Sequence, residues 1–407
     1  MTGWLVPWDD LSLAQRRAVE LPVRDHQIVV GAPGSGKTLV LVHRAKRLWE
    51  DLRVSDDRFR VFVYTNALKN YIREGLSDLR LPEENVLTFD QWCCRFHEQH
   101  IRGSLPRGPD RKRDFQAIRV AVLQRLNAAP LQPQYDFVLV DEGQDLNPVC
   151  FQILRLISRH VTVCFDQKQS IFEAGSTEAE IRQKLGIRSA VFSVLEAYRC
   201  CPYIVQLAAQ FLDDAQERNA FLNQSRTAQT RKEMPVWFRA PSFEDERKNL
   251  IEMVRLRQGF GERTAILLPK NRQIHGFAAG MREAGLEVET PSRNQEEGYD
   301  FSSPLPKVMS YHSAKGLTFD SVLLPRLTVD SFERYSADHL LRLLFVGVTR
   351  ATGWVYLSST TGNACAPLGR LLSPESRYFL AIQQGSVQAA PAAQAEHEEE
   401  GDLTDFL

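Results

Sequence analysis

Short apolar runs rich in β-branched residues recur along the chain, first at positions 26–30, 60–64, 137–140 and 161–165. They show little polar alternation, which predicts strands covered on both faces, as in a parallel sheet. Between them, positions 37–50 and 66–76 carry apolar residues at helical spacing. The alternation restarts after about residue 195, with strands predicted over 236–239, 264–268, 307–310, 321–324 and 354–357. Helices are predicted there over 243–257, 272–284 and 337–346. This order predicts an α/β fold with parallel sheets in two domains, 1–194 and 195–383. The polar stretch 291–306, with several turn formers, reads as a loop. After Ile382 the chain becomes Gln/Ala-rich and then acidic, so 384–407 is expected to be a disordered acidic tail.

Composition narrows the class. The 407 residues are 43% hydrophobic and 25% charged, ordinary globular material long enough for two or three domains. No apolar run reaches the ~18 residues of a membrane span, and positions 1–10 lack a basic-then-apolar leader, so a cytoplasmic protein without membrane partners is expected. Seven cysteines, two adjacent pairs among them (Cys93-Cys94 and Cys200-Cys201) and no C-x-x-C argue against a disulfide framework or structural zinc. The formal charge of -1 is uneven: positions 386–407 hold six acids and no Lys or Arg, leaving 50 basic against 45 acidic residues elsewhere. That excess neither requires nor excludes nucleic acid.

The chemistry is carried by Gly31-Ala32-Pro33-Gly34-Ser35-Gly36-Lys37-Thr38, which fits G-x-x-x-x-G-K-(S/T) between a predicted strand and a predicted helix. In that context backbone N–H groups converge on phosphate oxygens at a helix N-terminus. Lys37 would reach the β- and γ-phosphates, and the Thr38 hydroxyl would ligate Mg²⁺. About 100 residues on, the apolar run 137–140 delivers Asp141-Glu142-Gly143-Gln144-Asp145 at a carboxyl edge, where α/β sheets bind ligands. Asp141 is placed to hold Mg²⁺ and Glu142 to polarise an attacking water. ATP and Mg²⁺ are therefore the expected cofactors.

The chain also resembles the UvrD/Rep/PcrA-like superfamily 1A DNA helicases, in the family's motif order from about residue 11 to 358. Gln15 stands in a segment similar to the adenine-reading Q motif, and Thr65-Asn66 and Thr88-Phe89 stand in segments similar to motifs Ia and Ib, which touch single-stranded DNA. Asp166-Gln167-Lys168-Gln169-Ser170-Ile171-Phe172 resembles motif III, which implies that Gln169 links the γ-phosphate to the DNA path and Phe172 contacts DNA. Leu195-Glu196-Ala197-Tyr198-Arg199 resembles motif IV, with Tyr198 on adenine and Arg199 at the γ-phosphate. Tyr311-His312-Ser313-Ala314-Lys315-Gly316-Leu317-Thr318 resembles motif V, with His312 on DNA and Gly316 at the nucleotide. Val346-Gly347-Val348-Thr349-Arg350-Ala351 is similar to motif VI, with Arg350 as arginine finger. The resemblance implies two RecA-like P-loop NTPase domains with the ATP site in the cleft between them. It implies a 3′ to 5′ ATP-dependent translocase or helicase acting on single-stranded DNA or a 3′-tailed duplex.

Four departures qualify that expectation. Only about 45 residues separate motifs Ib and II, enough for a reduced 1B insertion near 100–132, helical over 111–129. From Leu268 to His312 there are 44 residues, too few for the 2B subdomain, so this is a minimal form. Ala174 stands where the family commonly has an aromatic residue, and Thr318 where it usually has Glu. An alternative reading is an ATP-switched nucleic-acid-binding subunit of a larger complex, for example with a nuclease, and a third is an RNA-directed motor. Cys93, His97 and His100 fall at helical spacing without a fourth ligand and read as core and surface positions of one helix. The tail ends in Phe406-Leu407 after a run of acids, which suggests either a solubilising end or a docking peptide for a protein partner.

Overall fold

The computed structural model describes residues 4–31, 34–129, 132–166, 175–194, 201–224, 233–291 and 298–385, and it contains two six-stranded sheets. The first is built from β1 (Gln27–Gly31), β2 (Phe59–Val63), β3 (Val86–Thr88), β4 (Tyr135–Val140), β5 (Ser158–Phe165) and β6 (Phe192–Val194). The second comprises β7 (Val236–Ala240), β8 (Thr264–Leu268), β9 (Lys307–Ser310), β10 (Phe319–Leu324), β11 (Ala351–Thr360) and β12 (Ala381–Gln384). Their orders are β3-β2-β4-β5-β1-β6 and β12-β7-β11-β10-β8-β9. The pairings within both sheets are parallel. This is the two-domain α/β architecture expected of RecA-like helicase domains.

Helices of the first unit are α1 (Leu13–Val19), α2 (Lys37–Leu52), α3 (Asn66–Asp78), α4 (Phe89–His100), α5 (Phe115–Ala128), α6 (Pro148–Ile157) and α7 (Glu178–Leu185). Those of the second are α8 (Pro202–Ala209), α9 (Ala215–Gln224), α10 (Phe243–Gly259), α11 (Asn271–Glu283), α12 (Tyr311–Ala314), α13 (Val329–Phe332) and α14 (Ala337–Val348). Among the described residues no helix is long and apolar enough to cross a membrane. The helix starts follow local chemistry. Ser12 with Gln15, and Thr88 with Gln91, form reciprocal capping boxes that satisfy otherwise orphaned N–H groups.

The strands read from apolar runs are all present, as are the five helices read from periodicity. Three strands were not legible. β3 and β6 have three residues each, too short to display a pattern, and sit at sheet edges. β12 contains Ile382-Gln383-Gln384, exposed side chains held by backbone pairing of 381–384 with 236–239. The sheet thus continues past Ile382, where the composition suggested that the tail had begun; residues 386–407 lie outside the described ones. In the segment 101–114 the chain is irregular apart from a bridge between Arg107 and Arg113. α5 then buries Ile118, Val122 and Leu126 in the same apolar cluster as α4, α6 and one face of the first sheet.

A second apolar cluster joins the two units. It runs from Leu39, Val40, Tyr71 and Ile72 on α2 and α3, through Trp4, to Leu317, Phe319, Leu343 and Phe345. A third cluster covers the far face of the second sheet, under α10 and α11. Between α1 and the first sheet, Arg44 on α2 is fully buried and donates to the carbonyls of Val19 and Leu21 at 2.8 Å each, fixing the exit of α1. The guanidinium also reaches Thr162 Oγ1 at 2.9 Å and His160 Nε2 at 3.1 Å on β5.

Candidate functional site

The loop after β1 turns into α2 through two left-handed glycines, Gly34 (φ 78°) and Gly36 (φ 81°), a conformation that favours glycine. Lys37 follows as the first residue of α2 and is buried. Its Nζ donates to the Gly31 carbonyl at 2.7 Å and to Asp166 Oδ2, at the end of β5, at 3.3 Å. Thr38 Oγ1 donates to Asp141 Oδ2 at 2.7 Å, tying the start of α2 to the end of β4. Gln15 is buried behind the loop: its Nε2 donates to the Ser35 carbonyl at 2.9 Å while its Oε1 accepts from Ser12 N–H. The Ser35 hydroxyl is buried and has no hydrogen-bond partner. Ala32 and Pro33 lie outside the described residues.

Asp141 and Glu142 are both buried, and their environments separate them. Burial, with the neighbouring charge of Glu142, pushes the Asp141 carboxyl up to about 7. Burial works the same way on Glu142, but Lys315, Lys37 and Arg350 outweigh it and hold that carboxyl below its ordinary value. Glu142 also sits in the left-handed region at φ 53°, uncommon for a residue with a side chain and typical of functional turns. Its carboxylate accepts a hydrogen bond from Gln144 Nε2.

The second unit brings three groups to this place. Lys315, following α12, donates to Asp145 Oδ1 at 2.6 Å, with both side chains buried. Gly316 (φ 78°) packs on Leu68 of α3 and faces Glu142, so that an added Cβ would meet both. Arg350, after α14, is buried, donating from Nε to the Val346 carbonyl at 3.0 Å and from Nη1 to the Leu317 carbonyl at 3.3 Å. A cavity of about 50 Å³ is lined by Gly34, Gly36, Lys37, Thr38 and Glu142 from the first unit and by Gly316, Thr318 and Arg350 from the second. Hydroxyl, carboxylate and lysine groups at one end of a glycine turn fit a phosphate chain with a hard divalent cation.

The predicted nucleic-acid residues are divided by the structure. Thr65 and Thr88 cap α3 and α4, Thr65 shortly after β2 and Thr88 as the last residue of the neighbouring strand β3. Asn66 Oδ1 accepts from Gln91 Nε2 at 3.4 Å, linking the two helix starts. His312 is half-buried beside His339 and Lys315; burial first, then these neighbours, lower its pKa. Phe89 needs correction as a DNA contact. It is 1% exposed and packs edge-on against Phe62 at 5.3 Å, so its ring faces the core and no base can stack on it. Gln169, Phe172, Tyr198 and Arg199 lie outside the described residues. Cys93 and His97 are buried on α4, and His100 is exposed with its ring 4.5 Å from that of Phe96.

Sequence reasoning missed several participants. Asp166 was read only as part of a motif, although an acid at the end of the strand beside β1 is a usable signal for a lysine partner. The Lys315–Asp145 pair joins two motifs 170 residues apart and has no local signature. Trp4 and Tyr71, which also line the cavity, left no trace in any motif.

Two family models match the chain. Residues 11–126 and 110–185 match the UvrD/REP helicase N-terminal domain, and residues 307–358 match the UvrD-like helicase C-terminal domain. No curated protein matches the chain. Among solved structures, the C-terminal domain of a possible DNA helicase from Lactobacillus plantarum WCFS1 is 18% identical, with 46% of this chain and 98% of that chain covered and a TM-score of 0.35. With both halves of the domain pair matched in order across the site just described, the chain belongs to the UvrD-like helicase family.

Proposed function

We propose that the chain is an ATP-dependent single-stranded DNA translocase or helicase, moving 3′ to 5′, which hydrolyses ATP in the cleft between its two units. The observation that carries this reading is the single cavity shared by Lys37, Thr38 and Glu142 on one side and Gly316 and Arg350 on the other. Thr38 and Asp141 are the residues that would hold Mg²⁺, which when bound neutralises charge building up on the phosphates. Lys37 and the N–H groups of the glycine turn orient the phosphate chain. Glu142, kept ionised by three cations, accepts a proton from the attacking water. Arg350 comes from the second unit, so stabilisation of the transition state depends on the cleft being closed. Opening and closing of the cleft then passes DNA between grips at Thr65, Asn66 and Thr88 on one unit and His312 on the other.

A second reading, an ATP-switched nucleic-acid-binding subunit with little unwinding of its own, is favoured by one feature. Between β8 and β9 the described residues hold α11 and connecting loop, without the inserted subdomain of larger relatives. Both readings place the protein in the cytoplasm with nucleic acid. Steady-state ATP hydrolysis with no nucleic acid, single-stranded DNA, single-stranded RNA and duplex, using Glu142→Gln as control, separates them. Stimulation by single-stranded DNA that the variant loses supports the motor. Stimulation by RNA alone redirects it, and no stimulation favours the subunit.

A further inference from the structure

Ahead of the capped helix α1, the chain lays Trp4 into the cleft between the two units. Its side chain is 5% exposed. The indole stacks on Tyr71 of α3, with ring centroids 4.2 Å apart and planes 20° apart. It lines the 50 Å³ cavity together with Lys37 and Thr318, and an adjoining cavity of about 30 Å³ together with Glu74 and Phe319. The ring therefore stands between α3 and the second unit, at the phosphate-binding turn.

Three observations indicate that this placement is one Trp4 has to leave. Sites that hold a small ligand are typically ~300–1,000 Å³, several times the space left here. The indole N–H is buried and makes no hydrogen bond, whereas buried Trp N–H groups usually find a partner. The other walls are fastened: Lys37 to Gly31 and Asp166, Arg350 to the Val346 and Leu317 carbonyls. The Trp4 side chain is instead held by ring packing on Tyr71 without a hydrogen bond of its own, and the next side-chain tie to its segment is His43 Nε2, 2.9 Å from the Val6 carbonyl. The stack also depends on Gly75, where an added Cβ would fall on the Trp4 ring.

We propose that Trp4 is an affinity-setting residue of the nucleotide site, its indole holding space that a nucleoside triphosphate needs and leaving it when nucleotide binds. The inference rests on the reading that ATP binds in this cleft. A protein whose binding-competent state is a minor one binds more weakly in proportion to that state's population. Removing the obstacle therefore tightens binding.

The test is equilibrium binding of a non-hydrolysable ATP analogue, with Mg²⁺, to the full chain and to Trp4→Ala and Gly75→Ala. Both variants are expected to bind about tenfold more tightly. Gly75→Ala keeps the indole but displaces it, and it replaces glycine inside a helix with the best helix former, so it remains informative if Trp4→Ala folds poorly. Tryptophan emission is the second readout, with Trp4→Phe subtracted to isolate Trp4. The Trp4 contribution is expected to shift to the red as analogue is added and the indole becomes exposed. Unchanged or weaker binding by both variants, or a Trp4 signal that ignores saturating analogue, overturns the proposal. A wild-type protein that binds no analogue at all removes the cleft reading with it, so the two failures are distinguishable.

Discussion

Lys315 Nζ and Asp145 Oδ1 meet at 2.6 Å across the cleft, each side chain almost wholly buried, so an ion pair clasps the loop after β4 to the segment after α12. Removing one partner strands a charge in the interior, an effect of roughly 3–5 kcal/mol. Lys315→Met is accordingly expected to lower the unfolding midpoint and to slow DNA-stimulated ATP hydrolysis. The double variant Lys315→Met/Asp145→Asn should recover part of the stability, because no charge is left unpaired. A double-mutant cycle on denaturant midpoints measures this, and strict additivity would refute the coupling.

Glu142 is the group expected to take the proton of the attacking water. Glu142→Gln should reduce ATP turnover by ~10²–10⁴-fold while leaving nucleotide binding close to wild type, because its neighbours hold the phosphates. Lys37→Ala should instead weaken binding itself. Turnover measured beside equilibrium binding of a non-hydrolysable analogue distinguishes the two; equal loss of affinity in both variants would contradict the division of labour.

His160 supplies a pH dependence remote from the cleft. Burial, then the adjacent Arg44 guanidinium, lower its pKa from 6.5 to about 3. Between those values the unfolded chain binds a proton that the folded chain does not, so stability is full above 6.5 and falls as pH drops towards 3. The slope contributed is up to about 1.4 kcal/mol per pH unit. His160→Asn should flatten the acid side of the stability curve, as read from denaturant midpoints between pH 7 and pH 4. A curve parallel to wild type would rule out this source.

Arg44→Met is expected to destabilise the first unit by about 3 kcal/mol, since the carbonyls of Val19 and Leu21 lose a charged donor. Because α1 carries Gln15 against the Ser35 carbonyl, the same change should also weaken nucleotide binding. Thermal unfolding with and without nucleotide tests both: loss of stability without loss of affinity would limit Arg44 to the core.

Gly316→Ala places a Cβ at φ 78° against Leu68 and facing Glu142. The left-handed backbone alone costs about 1–2 kcal/mol for a residue with a side chain. The expected result is a lower unfolding midpoint and a higher KM for ATP, as the second unit is pushed away from α3. A KM equal to wild type would show that the close approach is not needed for binding.

The apolar runs made the sheets legible because strands covered on both faces cannot hide their composition; β8 and β9 begin and end where the pattern does. The ends of β1 and β4 carried their chemistry in contiguous residues, so Lys37, Thr38, Asp141 and Glu142 could be placed together. Phe89 misled because a motif records which residues occur near DNA, not which way each ring turns; it follows capping Thr88 and points into the core. β12 was hidden because an edge strand with exposed side chains needs backbone pairing and little hydrophobicity. Trp4 and the Lys315–Asp145 pair depend on segments distant in sequence, and no local pattern encodes who their neighbours will be.

β12 runs parallel to β7, so Gly385 leaves the second sheet at its carboxyl edge, the edge where α12 begins after β9. A fluorophore placed there would travel with the second unit on the cleft side. Paired with one on the exposed Glu83, which rides on the first unit next to β3, it turns the molecule into a ruler for its own opening and closing.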